Sequence, residues 1–196
     1  MKILPTDHNL SLVDAMMAEM EPYLLSGEVF WPLESRPPRG GLAFPRLTLG
    51  GLLLTLDQLE AVQGEISTAQ VADLRRQNMR MDQLRFKHAV ALENKAAREA
   101  GSRLNLWRAY IGDLEEMPGR AGNYAYEVRH RVMLTRLETF GAEHVDFLKA
   151  VSAAKSVDRR LRRVFKQEAF IWDERLQQTY PPQQYWYLYG QPRMKT

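Results

Sequence analysis

A chain of 196 residues with 45% hydrophobic and 26% charged residues falls in the range of ordinary globular domains and is long enough for one substantial core. Without cysteine it has no disulfide framework, thiolate metal site or thiol nucleophile, and it suits a reducing, cytoplasmic setting. The net charge of +3 and the pI near 9.2 come from arginine-rich patches, which leave weak polyanion affinity open without requiring it.

Residues 1–12 lack the basic and then apolar order of a signal peptide, so no export signal is expected there. Ser11 to Met20 reads as a short helix. Ser11 and Asp14 stand at capping-box spacing, Leu12, Val13, Met16, Met17 and Met20 line one side, and Pro22 falls where the helix should end. From Pro22 to Pro45, Pro32, Pro37, Pro38, Gly27, Gly40 and Gly41 leave no room for a regular element. Yet the same segment carries Phe30, Trp31, Leu33, Leu42 and Phe44. It is expected to strap across a helical core, the other reading being that Trp31 and its neighbours wait for a partner.

Thr48 is the expected N-cap of a helix through Leu52, Leu53, Leu56, Leu59 and Val62, ending near Gly64. The apolar stretch Leu47 to Leu59 is too short and too interrupted to cross a bilayer, which takes roughly 18 apolar residues. No membrane association is expected. Gly50 and Gly51 in the first turn cost about 1 kcal/mol each against alanine. They indicate either an anion site at a helix start or close packing against another backbone.

A long helical stretch follows, from Ser67 to Met117, with Val71, Leu74, Met81, Leu84, His88, Ala91 and Leu92 on its apolar side. Between Glu93 and Arg103 there is no large apolar residue. Gly101 followed by Ser102 resembles a helix end meeting a new N-cap, so the stretch is two helices or one kinked helix. Leu104, Trp107, Ile111 and Leu114 then form a clean stripe. Pro118, Gly119 and Gly122 make a turn, and Asn123 is the next N-cap.

From Asn123 to Tyr180 there is no proline, and Gly141 is the only glycine. Tyr126, His130, Met133, Leu137, Phe140, His144, Phe147, Val151, Ala154, Asp158, Leu161, Phe165, Glu168 and Trp172 recur in alternating four- and three-residue steps. That spacing keeps one stripe facing a partner helix and describes a bundle seam. Gly141 either bends it mildly or divides it into a helix to Phe140 and another from Ala142 to about Gln178. The tail then places Tyr185, Trp186, Tyr187, Leu188 and Tyr189 in succession after two prolines. It has strand-like propensity but no evident strand partner, and reads equally as a strap or as a docking peptide.

Three sets of residues could carry function. Trp31, Tyr185, Trp186, Tyr187 and Tyr189 are candidate partner-binding aromatics. Lys155, Arg159, Arg160, Arg162, Arg163 and Lys166 form a basic helix face able to track phosphates, and Arg75, Arg76, Arg80, Arg85 and Lys87 form a second cluster that would merge with it if the two stretches pack side by side. Glu127 and His130 have the Glu-x-x-His spacing of bundle metal sites, but a single such pair arises readily by chance. His88, His144, Asp158 and Glu168 also interrupt apolar faces, where a polar residue often sets register instead. No Walker loop, dinucleotide-binding glycine pattern, zinc-protease histidine pair or nucleophile elbow occurs, so no cofactor or catalytic residue is expected.

The expected fold is all-α: an antiparallel helical bundle with two long coiled-coil-like stretches and irregular proline and aromatic straps. It forms one domain over residues 1–196, divided into residues 1–47, 48–178 and 179–196. The expected function is a non-enzymatic interaction, scaffold or accessory subunit that holds a partner or a second copy through helical faces and the aromatic tail. The alternatives are a nucleic-acid-binding accessory protein and a core metal site.

Overall fold

The computed structural model describes residues 1–116 and 122–193, so the turn expected at Pro118 and Gly119 lies outside the described residues. Pro5, extended at φ −51° and ψ 138°, immediately precedes α1 (Thr6–Ala18). The helix therefore starts well before the expected Ser11 cap. Its extra turn is held from outside, because buried Asn9 donates to Gln58 Oε1 at 3.2 Å. Pro22 does not end the helical region either. It lies in the first turn of α2 (Met20–Leu25), where a missing N–H breaks no intrahelical bond.

The segment between α2 and α3 (Leu49–Ala61) is irregular, as its prolines require, and is tied back by a bridge between Trp31 and Leu47. Thr48 caps α3 by accepting from the Gly51 N–H at 3.0 Å. Leu52, Leu53, Leu54, Leu56 and Leu59 are buried with Thr55, Asp57 and Gln58, so α3 is enclosed on all sides. α4 (Thr68–Lys87) starts at a full capping box between Ser67 and Gln70 and lies along α1 in the same direction. Gln70 reaches Asp7, Gln77 reaches Asp14, and Lys87 reaches Glu21.

α5 (Ala89–Glu116) runs unbroken through Gly101 and Ser102; the long stretch divides instead at His88, the C-cap of α4. Buried Ala96, Ala97 and Ala100 let neighbouring helices approach closely here, and that packing holds a helix that local propensity alone would weaken. The chain returns antiparallel to α5 through α6 (Tyr124–Glu127), α7 (Arg129–Arg136) and α8 (Glu138–Gly141). The pairs Tyr110 with Tyr124 and Arg103 with His130 set that direction.

Gly141 is a true break: a Cβ there would lie 2.8 Å from the Phe147 ring, and His144 caps α9 (Val145–Val164) by accepting from the Asp146 N–H. α9 then runs parallel to α5, with Asn94 against His144, Trp107 against Asp158, and Glu115 against Arg160. The antiparallel pairing thus belongs to the first limb after residue 122, and the second limb reverses it.

The helix expected to continue to Gln178 stops at Val164. Phe165 turns extended, at φ −77° and ψ 135°, and opens β1 (Phe165–Gln167), which pairs antiparallel with β2 (Gly190–Pro192). Glu168 is exposed, and Trp172 packs from an irregular segment, donating its indole N–H to the Ala125 carbonyl at 2.8 Å. The tail therefore has a strand partner, inside the stretch that periodicity assigns to helix. Gly190 makes the pairing possible, because its φ of +144° and the close Lys166 carbonyl leave no place for a Cβ. After β1, α10 (Pro182–Tyr185) and a short 3-10 turn at Trp186–Leu188 bring the aromatic tail onto the bundle. One continuous core cluster extends from Leu12 to Leu188. No helix among the described residues is long and apolar enough to cross a membrane.

Candidate functional site

The aromatic tail is built into the core. Tyr185 is 3% and Tyr187 0% exposed, which corrects the expectation that these two rings are presented to a partner. Their polar ends explain how they can be buried. The hydroxyl of Tyr187 bonds the Thr135 hydroxyl at 2.9 Å, its ring carries the Arg131 guanidinium at 5.0 Å, and its carbonyl accepts from Tyr124 at 2.7 Å. Tyr189 donates to the Tyr180 carbonyl, and Tyr180 donates to buried Asp57, which also pairs with Arg136. Trp186 is half-buried beneath Arg162, whose guanidinium stands 3.7 Å from the ring centre. Trp31, also half-buried, donates to Glu19 at 2.8 Å and fastens the proline strap.

The basic residues of α9 and β1 lie on the outside, but several have partners. Arg160 forms a two-point pair with Glu115 at 2.6 and 3.0 Å, Lys166 meets Glu168 at 2.7 Å, and Arg159 donates to Ser156. The second cluster does not join them through helix packing. α4 lies on α1, and Arg76, Arg80, Arg85 and Lys87 pair with Asp73, Asp14, Asp82 and Glu21.

Glu127 and His130 belong to a buried polar network. Glu99, fully buried on α5, accepts both bonds of the Arg103 fork at 2.8 and 2.9 Å and the Gly50 N–H at 3.1 and 3.2 Å. Arg103 also donates to the Thr48 hydroxyl at 2.8 Å and to His130 Nδ1 at 3.2 Å. A guanidinium only donates, so Nδ1 accepts and the neutral imidazole carries its proton on Nε2, which faces Glu127 at 3.6 Å. Burial, then Arg103 and Arg129, push the His130 pKa down to about 3.

No group of three or more histidines and carboxylates that could hold a metal occurs among the described residues. In the structure Glu127 and His130 contact each other, and His130 also contacts Arg103. The carboxylate at the start of α3 is the chain's own Glu99, and the close neighbours of Gly50 are side chains rather than another backbone: a Cβ there would lie 2.8 Å from Glu99 Oε1 and from Met133.

No protein-family model, curated protein or solved structure matches this chain.

Sequence reasoning missed Lys95, Glu99 and Arg103 as buried groups. All three lie in the stretch without large apolar residues. The legible signal was the four-residue step from Glu99 to Arg103 beside Ala96 and Ala100. Lys95 is 2% exposed and donates to the Ser26 and Glu28 carbonyls at 2.9 and 2.8 Å, pinning the start of the strap to α5, and burial lowers its pKa.

Another feature lies at the opposite extreme of burial. Phe86 is 94%, Val90 70%, Val145 63% and Leu148 51% exposed. They occupy one end of the bundle. Phe86 and Val90 flank the corner between α4 and α5, and one turn beyond Val90, Asn94 meets His144 at 3.3 Å, immediately before Val145. Arg85 lies over the Phe140 ring at the same end, at 5.0 Å.

Proposed function

We propose that the protein is a non-enzymatic interaction subunit that docks a second copy of itself through the helical end bearing Phe86, Val90, Val145 and Leu148. The observation that carries this reading is the almost complete exposure of Phe86 in a chain whose other large aromatic side chains are mostly packed. An apolar cluster of this kind in water favours association. The nearby charges have both signs, with Asp82 and Arg85 on α4 and Asp146 and Lys149 on α9. A two-fold contact needs such a self-complementary border.

Light scattering across a wide concentration range tests the reading. The mass should rise above the 22.7 kDa of one chain, and the double variant Phe86→Ser, Leu148→Ser should remain at that mass. A wild-type mass that stays at one chain throughout would sink it.

A second reading concerns the α9 face. Lys155, Arg159 and Arg163 are exposed, and no carboxylate of the described residues forms an ion pair with them. Such a face supports sequence-independent phosphate binding that weakens steeply with salt. Retention of single- or double-stranded nucleic acid at low salt, lost with Arg159→Glu and Arg163→Glu, is its expected signature.

A further inference from the structure

Beside the buried network, the N-terminal residues, α1, the proline strap, α3, α6 and α7 line a half-open cavity of about 460 Å³. Small-molecule sites commonly occupy about 300–1,000 Å³. Its walls are amphipathic. Leu4, Leu12, Leu54 and Met133 supply apolar surface, while Lys2, Arg46, Arg103 and Arg129 supply positive charge, and no aspartate or glutamate among the described residues lines it.

The four cations differ in how they are paired. Arg103 is neutralised by Glu99 at 2.8 Å, whereas among the described residues Arg46 reaches only the Phe30 carbonyl, at 3.3 Å. Arg129 lies over the Tyr126 ring at 3.5 Å and forms no ion pair with a carboxylate of the described residues. Its Nε–H is buried with no acceptor among them. An incompletely satisfied guanidinium in a desolvated setting is costly, and an anion binding there would recover that cost. His130, which also lines the cavity, has its Nδ1 lone pair committed to Arg103 and adds no negative charge to compete with such an anion.

We propose that this cavity binds an amphipathic small-molecule anion, its carboxylate or phosphate head held by Arg129 and Arg46 and its apolar body laid against Leu4, Leu12, Leu54 and Met133. The planar fork of arginine suits both head groups, each of which offers two oxygens to parallel N–H donors. The apolar walls contribute affinity in proportion to the hydrocarbon they cover. The site lies away from the α4–α5 corner, so it stands whether or not that corner associates.

Titration calorimetry on the full chain with decanoate, decyl phosphate and decanol tests the proposal. One of the two anions should bind with one-to-one stoichiometry and decanol about tenfold more weakly or worse, as loss of a charged hydrogen-bonding head predicts. The tighter anion identifies the head group. Arg129→Gln should abolish the preference of anion over alcohol with the circular dichroism spectrum unchanged. Should that variant fail to fold, Arg46→Gln, at an exposed position, should weaken the anion alone. Decanol binding as tightly as both anions, none of the three binding, or anion affinity unchanged in the folded variants would overturn it.

Discussion

Both carboxylate oxygens of Glu99 accept from the Gly50 N–H, at 3.1 and 3.2 Å, so a side chain of α5 completes the first turn of α3. The same carboxylate holds the Arg103 fork, which makes this one residue the link between the two central helices and the cavity wall.

Removing that charge leaves Arg103 buried and unpaired. Glu99→Ala should cost about 3–5 kcal/mol, the usual penalty for breaking a buried pair from one side. The double variant Glu99→Met, Arg103→Met should be markedly less harmful than the sum of its single changes. Urea unfolding of the four proteins measures the coupling. Additive losses would show that the pair is not the unit described.

Two glycines should respond in opposite directions. Gly50→Ala places a methyl group 2.8 Å from Glu99 Oε1 and Met133, and overpacking of this kind costs about 1–3 kcal/mol. Gly101→Ala meets nothing within 4 Å in the middle of α5 and should stabilise by about 0.5–1 kcal/mol. Thermal midpoints that move the same way for both would refute the distinction.

His130 makes stability depend on acid. Its folded pKa, about 3, lies below the ordinary value of 6.5, so above pH 6.5 neither folded nor unfolded state carries the proton. As the pH falls below 6.5 the unfolded state binds a proton that the folded state refuses, and stability is lost until about pH 3. By pH 5 the loss attributable to this residue should be about 2 kcal/mol. Comparison of wild type with His130→Gln across pH 7.5 to roughly 4.5 isolates it; parallel curves would remove His130 as the cause.

Tail and corner aromatics should separate stability from association. Tyr187→Ala should cost about 3–5 kcal/mol, since a fully buried ring is removed, whereas Phe86→Ala should change folding by about 0.5 kcal/mol or less and lower self-association. Truncation after Thr179 removes Tyr180, Tyr187 and Leu188 from the core and should unfold the chain. A truncated chain with native stability would contradict the packing seen for the tail.

Sequence by itself determined what depends on neighbours along the chain. Prolines exclude regular structure between Leu25 and Leu47, the Thr48 hydroxyl caps the helix it precedes, and heptad-like spacing makes the protein mainly helical. Tertiary structure decided what depends on partners far away. Gly101 stays helical because alanines beside it are packed, and Phe165 leaves the helix because Gly190 offers a ladder to pair with. Glu99, Arg103 and Lys95 look solvent-facing in a charged stretch, yet are buried because their polar ends meet Gly50, Thr48, His130 and the strap carbonyls. Burial of a polar group is stabilised by its hydrogen-bond partners rather than by its own apolarity, and linear spacing carries no record of partners that only folding brings within reach.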